Sequence, residues 1–131
     1  GFLIENNVLA PVNRYADGTN PLLCVDADEQ LRLLVDVPDP RLGLLFDTAH
    51  MKVSAGTLGF DLNAATQRVL PKARCVHHSD NEGTVDDNQQ FGPSYWFRPF
   101  MGATSHAVHV LETKKCTPSD LRRMEALLFG A

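Results

Sequence analysis

Near its middle the chain carries the run LGLLFD, in which residues 42–46 are apolar and Asp47 follows at once. A continuous apolar run of this length is typical of a strand buried on both faces, as in a parallel sheet. Three other short and mainly apolar runs are also predicted as strands, and residues 2–4 are predicted as a buried strand. The runs are residues 2–4 before Glu5, residues 73–76 before His77, and residues 107–111 before Glu112.

Helical patterns fill the segments between these strands. Residues 7–25 are predicted as a long loop because they are punctuated by Pro, Asn, Asp and Gly. Asp26 can then cap a helix that reaches about Val35. The spacing of Leu31, Leu34 and Val35 predicts the apolar face of that helix.

The later segments continue the alternation. A loop with Gly56 and Gly59 is predicted to lead to a helix at about residues 62–70. One short helix is expected near residues 95–100, within a long polar and aromatic segment. The sequence TPSD at residues 117–120 has the pattern of a capping box and opens the last helix.

This order of strands and helices predicts one α/β domain over residues 1–131. Strands that alternate with helices form a parallel sheet joined by right-handed crossovers. The carboxyl ends of such strands lie at one edge of the sheet, where the active sites of α/β proteins are found.

Composition narrows the classes of function. The net charge is −4 and no basic run occurs, which argues against nucleic-acid binding. No apolar stretch is long enough to predict a membrane span, and Glu5 interrupts the apolar start, so no signal peptide is expected. The three cysteines are widely spaced and odd in number, which indicates reduced thiols and a cytoplasmic protein.

The four strand ends could together form a metal site. Glu5, Asp47, His77 and Glu112 would offer three carboxylates and one imidazole at one edge of the sheet. This set suits a hard or borderline divalent ion such as Mn²⁺, Mg²⁺, Co²⁺ or Zn²⁺. A single acid after a strand is more often a helix cap or a solvated loop residue, so the inference depends on all four together.

Four local motifs occur in the order and at the separations of a known family. They are IEN at residues 4–6, LFDTAHM at 45–51, VHHSDNEG at 76–83 and VLET at 110–113. They resemble the motifs of the sugar phosphate isomerase/epimerase family, which is related to xylose isomerase and endonuclease IV. The resemblance implies a (β/α)8 TIM barrel, of which this chain would be strands five to eight, a parallel (β/α)4 half.

The resemblance also implies a site and a reaction. Glu5, Asp47, His77 and Glu112 match the family's metal ligands, and Glu5 and Glu112 match the residues that move protons. The protein would be a metal-dependent isomerase or epimerase of carbohydrate metabolism. Its substrate would be a small sugar or sugar phosphate, converted by proton transfer through an enediolate.

Other residues would surround this site. The resemblance implies that His50 hydrogen-bonds the substrate. Asp80 would bind a substrate hydroxyl or orient its neighbours, although an ordinary turn with Asn81 is equally open. Trp96 could stack on a sugar face, although packing in the core is the more frequent role of such a side chain. Strand alternation should turn His78 away from the face of His77, although the two could exchange roles.

Two departures from the relatives limit the choice. Endonuclease IV has two metal ligands in a D-x-H motif, where this chain has Asp86 but Asn88 in place of the histidine. A nuclease of that kind is therefore the less favoured alternative. Ketose 3-epimerases keep an arginine shortly after the residue matching His77, and none occurs here.

Half a barrel would leave two sheet edges and an apolar face open. We therefore expect a homo-oligomer, or a partner that supplies the N-terminal half-barrel. A second class of function stays open for such a chain, a non-catalytic half-barrel that acts as an assembly or sugar-binding module. Metal content after purification would distinguish this module from the enzyme.

Overall fold

The computed structural model describes residues 1–130 and has a four-stranded sheet at its centre. All neighbouring strands are parallel, and their order in the sheet is their order in the chain. The sequence prediction of an α/β fold with a parallel sheet is thus confirmed. The strands are β1 (Phe2–Glu5), β2 (Leu42–Asp47), β3 (Ala73–His78) and β4 (Val108–Leu111).

Four α-helices and three short 3-10 helices connect and follow these strands in residues 1–130. The α-helices are α1 (Ala27–Asp36), α2 (Thr48–Leu58), α3 (Leu62–Val69) and α4 (Pro118–Phe129). The 3-10 helices are Pro11–Asn13, Leu70–Lys72 and Arg98–Thr104. None of the helices in this described part of the chain combines the length and the hydropathy that a membrane crossing needs.

Helix α2 corrects the predicted loop after Asp47. The helix begins at Thr48, directly after Asp47, and ends at Leu58, and the following Gly59 adopts a left-handed conformation with φ of 78°. Gly59 therefore caps a helix instead of belonging to a loop. The helix was not predicted because six of its residues are buried, so it lacks the single apolar stripe of a surface helix.

Two further helix predictions are displaced. The short helix expected near residues 95–100 is the 3-10 helix Arg98–Thr104. On α1, which begins after the predicted cap Asp26, the buried residues are Ala27 and Gln30, whereas Val35 is exposed. Gln30 can be buried because its side-chain amide donates to the carbonyl of Asp26.

The sheet has one covered face and one open face. Leu44, Phe46 and Val76 are fully buried in the hydrophobic core that the sheet shares with residues of the helices. The register pairs Cys75 with Val108 and His77 with Val110, which places the two valines on the opposite face, where both are exposed. Strand β1 is exposed as well, contrary to its prediction as a buried strand, because it lies at an edge of the sheet.

Candidate metal centre

Four potential metal ligands lie together at the carboxyl ends of the strands. Glu5 and Asp47 are the last residues of β1 and β2, His77 is the penultimate residue of β3, and Glu112 directly follows β4. Each offers one donor atom, and the four donor atoms lie within 4.8 Å of one another. The cluster arises because parallel strands deliver their ends to the same edge of the sheet.

The imidazole of His77 lies at the centre of this cluster. Its Nδ1 is 2.5 Å from Oε2 of Glu112, 3.4 Å from Oε1 of Glu5 and 4.0 Å from Oδ2 of Asp47. Donor atoms about 2.1 Å from a tetrahedral ion lie roughly 3.4 Å from one another. The cluster is therefore of the right size for one divalent ion, which would require the atoms of His77 and Glu112 to separate slightly.

One of these donor atoms lacks a hydrogen-bond partner, and a second faces carboxylate oxygens without a well-formed hydrogen bond. Oδ1 of Asp47 accepts from the backbone N–H of His50 at 2.8 Å and caps α2, but Oδ2 is buried and accepts no hydrogen bond. Nδ1 of His77 is also buried without a hydrogen bond of acceptable geometry. Buried polar atoms without partners are costly, and a cation would satisfy both at once. The residues thus fit a bound divalent metal.

The electrostatics of the cluster favour a cation in the same way. Burial raises the pKa of Asp47 to about 6, and the charges of Glu5 and Glu112 act in the same direction, against the opposing effect of His50. Three carboxylates close to one another repel each other. A divalent ion would neutralise this repulsion and stabilise the ionised form of each.

His50 adds a positive charge beside the cluster. Its Nδ1 is 2.8 Å from the carbonyl oxygen of Asn6, and its Nε2 is 3.3 Å from Oδ2 of Asp86. Burial lowers the pKa of His50, but the hydrogen bond to Asp86 and the charge of Asp47 outweigh it and raise the pKa to about 9. Both ring nitrogens face oxygen atoms, an arrangement that favours the protonated ring, and Nδ1 lies 3.9 Å from Oε1 of Glu5.

Asp80 is held in a polar turn. Its Oδ1 accepts from the ammonium group of Lys52 at 2.6 Å and from the backbone N–H of Asn81 at 2.9 Å. The side chain of Asn81 in turn accepts from the backbone N–H of Gly83. These contacts agree with the turn that the sequence left open for Asp80, and its contact with a substrate stays a prediction.

Trp96 packs against the hydrophobic core. Its ring meets those of Tyr95, Phe97 and Phe100 edge to face. The indole N–H is buried without a hydrogen-bond partner. These contacts account for Trp96 as a packing residue, and stacking on a sugar stays a prediction.

His78 faces away from the cluster, as strand alternation predicted. It is fully buried, and its ring nitrogens lie 3.2 Å from the hydroxyl of Tyr95 and 2.8 Å from Nδ1 of His109. Burial and the neighbouring His109 lower the pKa of His78 to about 3, so the ring is neutral. Of the two adjacent histidines, His77 is therefore the one that belongs to the cluster.

For three residues around the cluster, the sequence predicted neither a role at the site nor the contact that the structure shows. Asn6 and Thr48 each follow a proposed ligand and hydrogen-bond to the backbone of another one, Asp47 and His77 respectively. Both stand inside the quoted motifs, so their positions were a usable signal. Asp86 contacts His50 across 36 residues of chain, and no sequence spacing indicated that pair.

No protein-family model, no curated protein and no solved structure matches this chain. The likeness of residues 4–6, 45–51, 76–83 and 110–113 to family motifs stays a resemblance of short segments.

Proposed function

We propose that this chain carries the metal site of a metal-dependent sugar or sugar phosphate isomerase or epimerase. The observation that supports the proposal is the convergence of four donor atoms within 4.8 Å, among them Oδ2 of Asp47, which is buried without a hydrogen-bond partner. The carboxylates differ in their exposure, and this difference determines which of them can contact a substrate. The Asp47 side chain is fully buried, whereas those of Glu5 and Glu112 are 39% and 47% exposed and can reach a substrate.

In this proposal the sheet is strands five to eight of a TIM barrel. Its support is the sequential parallel order of the strands, the core on one face, and a site at their carboxyl ends. The open face and the two edge strands would then meet an N-terminal half-barrel or a second copy of the chain. Either partner would cover apolar side chains that are exposed in the single chain.

The residues of the chain would bind the ion and move protons. The ion (Mn²⁺, Mg²⁺, Co²⁺ or Zn²⁺) would supply Lewis acidity that polarises a substrate carbonyl. Glu5 and Glu112 stand at the carboxyl ends of the two edge strands, β1 and β4, so they flank Asp47 and His77 from two sides. One glutamate could therefore take a proton from the carbon beside a carbonyl, and the other, in its protonated form, could donate its own proton to the opposite face or to the neighbouring carbon. His50 could donate to a substrate oxygen by sharing the Nε2–H that faces Asp86.

Solvent exchange tests this chemistry. The chain is loaded with Mn²⁺ and combined with the partner that covers the open face, either an N-terminal half-barrel or a second copy of the chain. This complex is incubated with a panel of sugars and sugar phosphates in deuterated water. We expect one substrate to exchange the hydrogen beside its carbonyl, as detected by NMR. Glu5→Gln and Glu112→Gln should each abolish turnover, because a positioned base contributes about 10²–10⁴-fold.

The outcomes separate the proposed reaction from its alternatives. Turnover without exchange would indicate hydride transfer, and the roles of Glu5 and Glu112 in moving protons would be abandoned. A folded chain that binds no metal would favour the assembly or sugar-binding module, for which the open sheet face is the supporting observation. A nuclease is disfavoured because the Asn88 side chain donates to the carbonyl of Glu112, and an amide is a poor metal ligand.

A further inference from the structure

We infer that Asn6 and Thr48 are positioning residues that set the spacing of three metal ligands before any ion binds. The inference rests on the proposed metal site. Neither residue is one of the proposed ligands Glu5, Asp47, His77 and Glu112, and the side-chain polar atoms of both are engaged in hydrogen bonds with backbone. Both are fully buried, and both direct their side chains at the backbone of neighbouring strand ends.

Asn6 joins the end of β1 to the end of β2. Its Nδ2 donates to the carbonyl of Asp47 at 3.0 Å, and its Oδ1 accepts from the N–H of Asp47 at 2.7 Å. Backbone pairing of the two strands ends at Glu5 opposite Leu45. The side chain of Asn6 therefore extends the hydrogen-bonded ladder by one step. Since Asn6 directly follows Glu5, these bonds connect Glu5 to the backbone of Asp47.

Thr48 joins the ends of β2 and β3 in the same way. Its hydroxyl lies 3.1 Å from the carbonyl oxygen of His77 and 2.9 Å from that of Ser79, and it can donate to either. It also accepts from the hydroxyl of Tyr95 at 2.7 Å. Because Thr48 directly follows Asp47, the hydrogen bond from its hydroxyl to the carbonyl of His77 connects Asp47 to His77.

The cluster needs these ties because its ligands sit where the strand ladder stops. The pairing of β2 with β3 ends at Asp47 opposite His77, and no later backbone pair holds them. Carboxylates that repel one another would push these two strand ends apart. A metal site keeps its affinity only if its ligands are held close to the final geometry, and groups that orient ligands typically change affinity by about 10–100-fold.

Cobalt titration of the full chain tests the inference. Co²⁺ affinity is measured by calorimetry, and the visible spectrum of the bound ion reports its coordination geometry. Thr48→Val removes the hydroxyl at nearly constant volume and should weaken Co²⁺ binding about 10–100-fold with an altered spectrum. Thr48→Ser keeps the hydroxyl and should restore both affinity and spectrum.

A matched control separates positioning from general stability. Thr66 is also fully buried, and its hydroxyl donates to the carbonyl of Leu62 at 2.7 Å, within its own helix. Thr66→Val should lower the unfolding free energy yet leave Co²⁺ affinity unchanged. If Thr48→Val does not fold, Asn6→Ser decides, since serine is too short to span to the backbone of Asp47, and it should lose a similar fraction of affinity.

Each outcome has one meaning. A wild-type chain that takes up no Co²⁺ overturns the proposed metal site and this inference with it. A wild type that binds Co²⁺ no more tightly than folded Thr48→Val or Asn6→Ser overturns the positioning role alone. Equal losses in Thr48→Val and Thr66→Val would also overturn it, because they would show a general effect of instability.

Discussion

At the scale of single residues, the two oxygens of Asp47 carry two different tasks. Oδ1 caps helix α2 through the N–H of His50, while Oδ2 faces the cluster without a partner. Asparagine caps helices as well as aspartate does, but its neutral amide is a much poorer metal ligand. The two tasks can therefore be separated by one substitution.

We expect Asp47→Asn to fold as stably as the wild type without metal, and to bind Mn²⁺ at least ~10-fold more weakly. The burial that raises the pKa of Asp47 to about 6 also opposes its charge, so a neutral side chain there is not penalised. Urea denaturation and calorimetric titration measure the two effects. Asp61→Asn is the control, because Asp61 caps α3 by accepting from the N–H of Ala64. Unchanged Mn²⁺ affinity in Asp47→Asn would count against the site.

The donors of the cluster were predictable because each directly follows one of the four predicted strand runs. The groups around them were not. Asp86 reaches His50 from a long irregular segment whose path depends on tertiary packing. Trp96 and Asp80 carry side chains that suit a sugar site, yet the structure engages them with Phe97 and Lys52, which composition alone could not indicate.

At the scale of elements, local chemistry was predicted well and tertiary burial was not. The capping box of Thr117 and Asp120 begins α4, and Asp26 caps α1, because these bonds form within a few residues. Helix α2 escaped prediction because its burial on several sides hides its period. Gly56, which suggested a loop, lies inside that helix, where its lack of a side chain allows a close contact.

Gly56 lets α2 approach the loop after β3. A Cβ atom there would lie 2.6 Å from the carbonyl oxygen of Gly83, which is backbone and cannot move aside easily. We expect Gly56→Ala to lower the unfolding free energy by about 1–3 kcal/mol, as overpacking does. Gly102→Ala is the control, since a Cβ there meets no atom within 4 Å. Equal stability of the two variants in urea denaturation would contradict this close approach.

At the scale of the whole molecule, the two faces of the sheet differ most from expectation. Continuous apolar runs predicted strands buried on both faces. One face is buried in the hydrophobic core, whereas the open face carries exposed side chains such as Val108 and Val110 of the edge strand β4. The sequence pattern is thus that of a sheet covered on both sides, and we therefore expect a partner to cover the open face.

We expect the purified chain to cover this face by self-association. Unpaired edges on β1 and β4 and an exposed apolar face favour strand pairing with another copy. Val108 is 64% exposed on the open face, so Val108→Lys should place a charge in the interface and shift the chain toward monomer. Val35 is 71% exposed on α1, and Val35→Lys should leave association unchanged.

Sedimentation velocity over a range of concentrations measures this association. A wild type that sediments as a single monomer at every concentration, and unfolds in one sharp thermal transition, would show that the open face is stable in water. Association that both lysine variants weaken equally would mean that charge alone disperses the chain. Loss of association in Val108→Lys alone would assign the interface to the open face, because Val108 lies on that face whereas Val35 lies on helix α1.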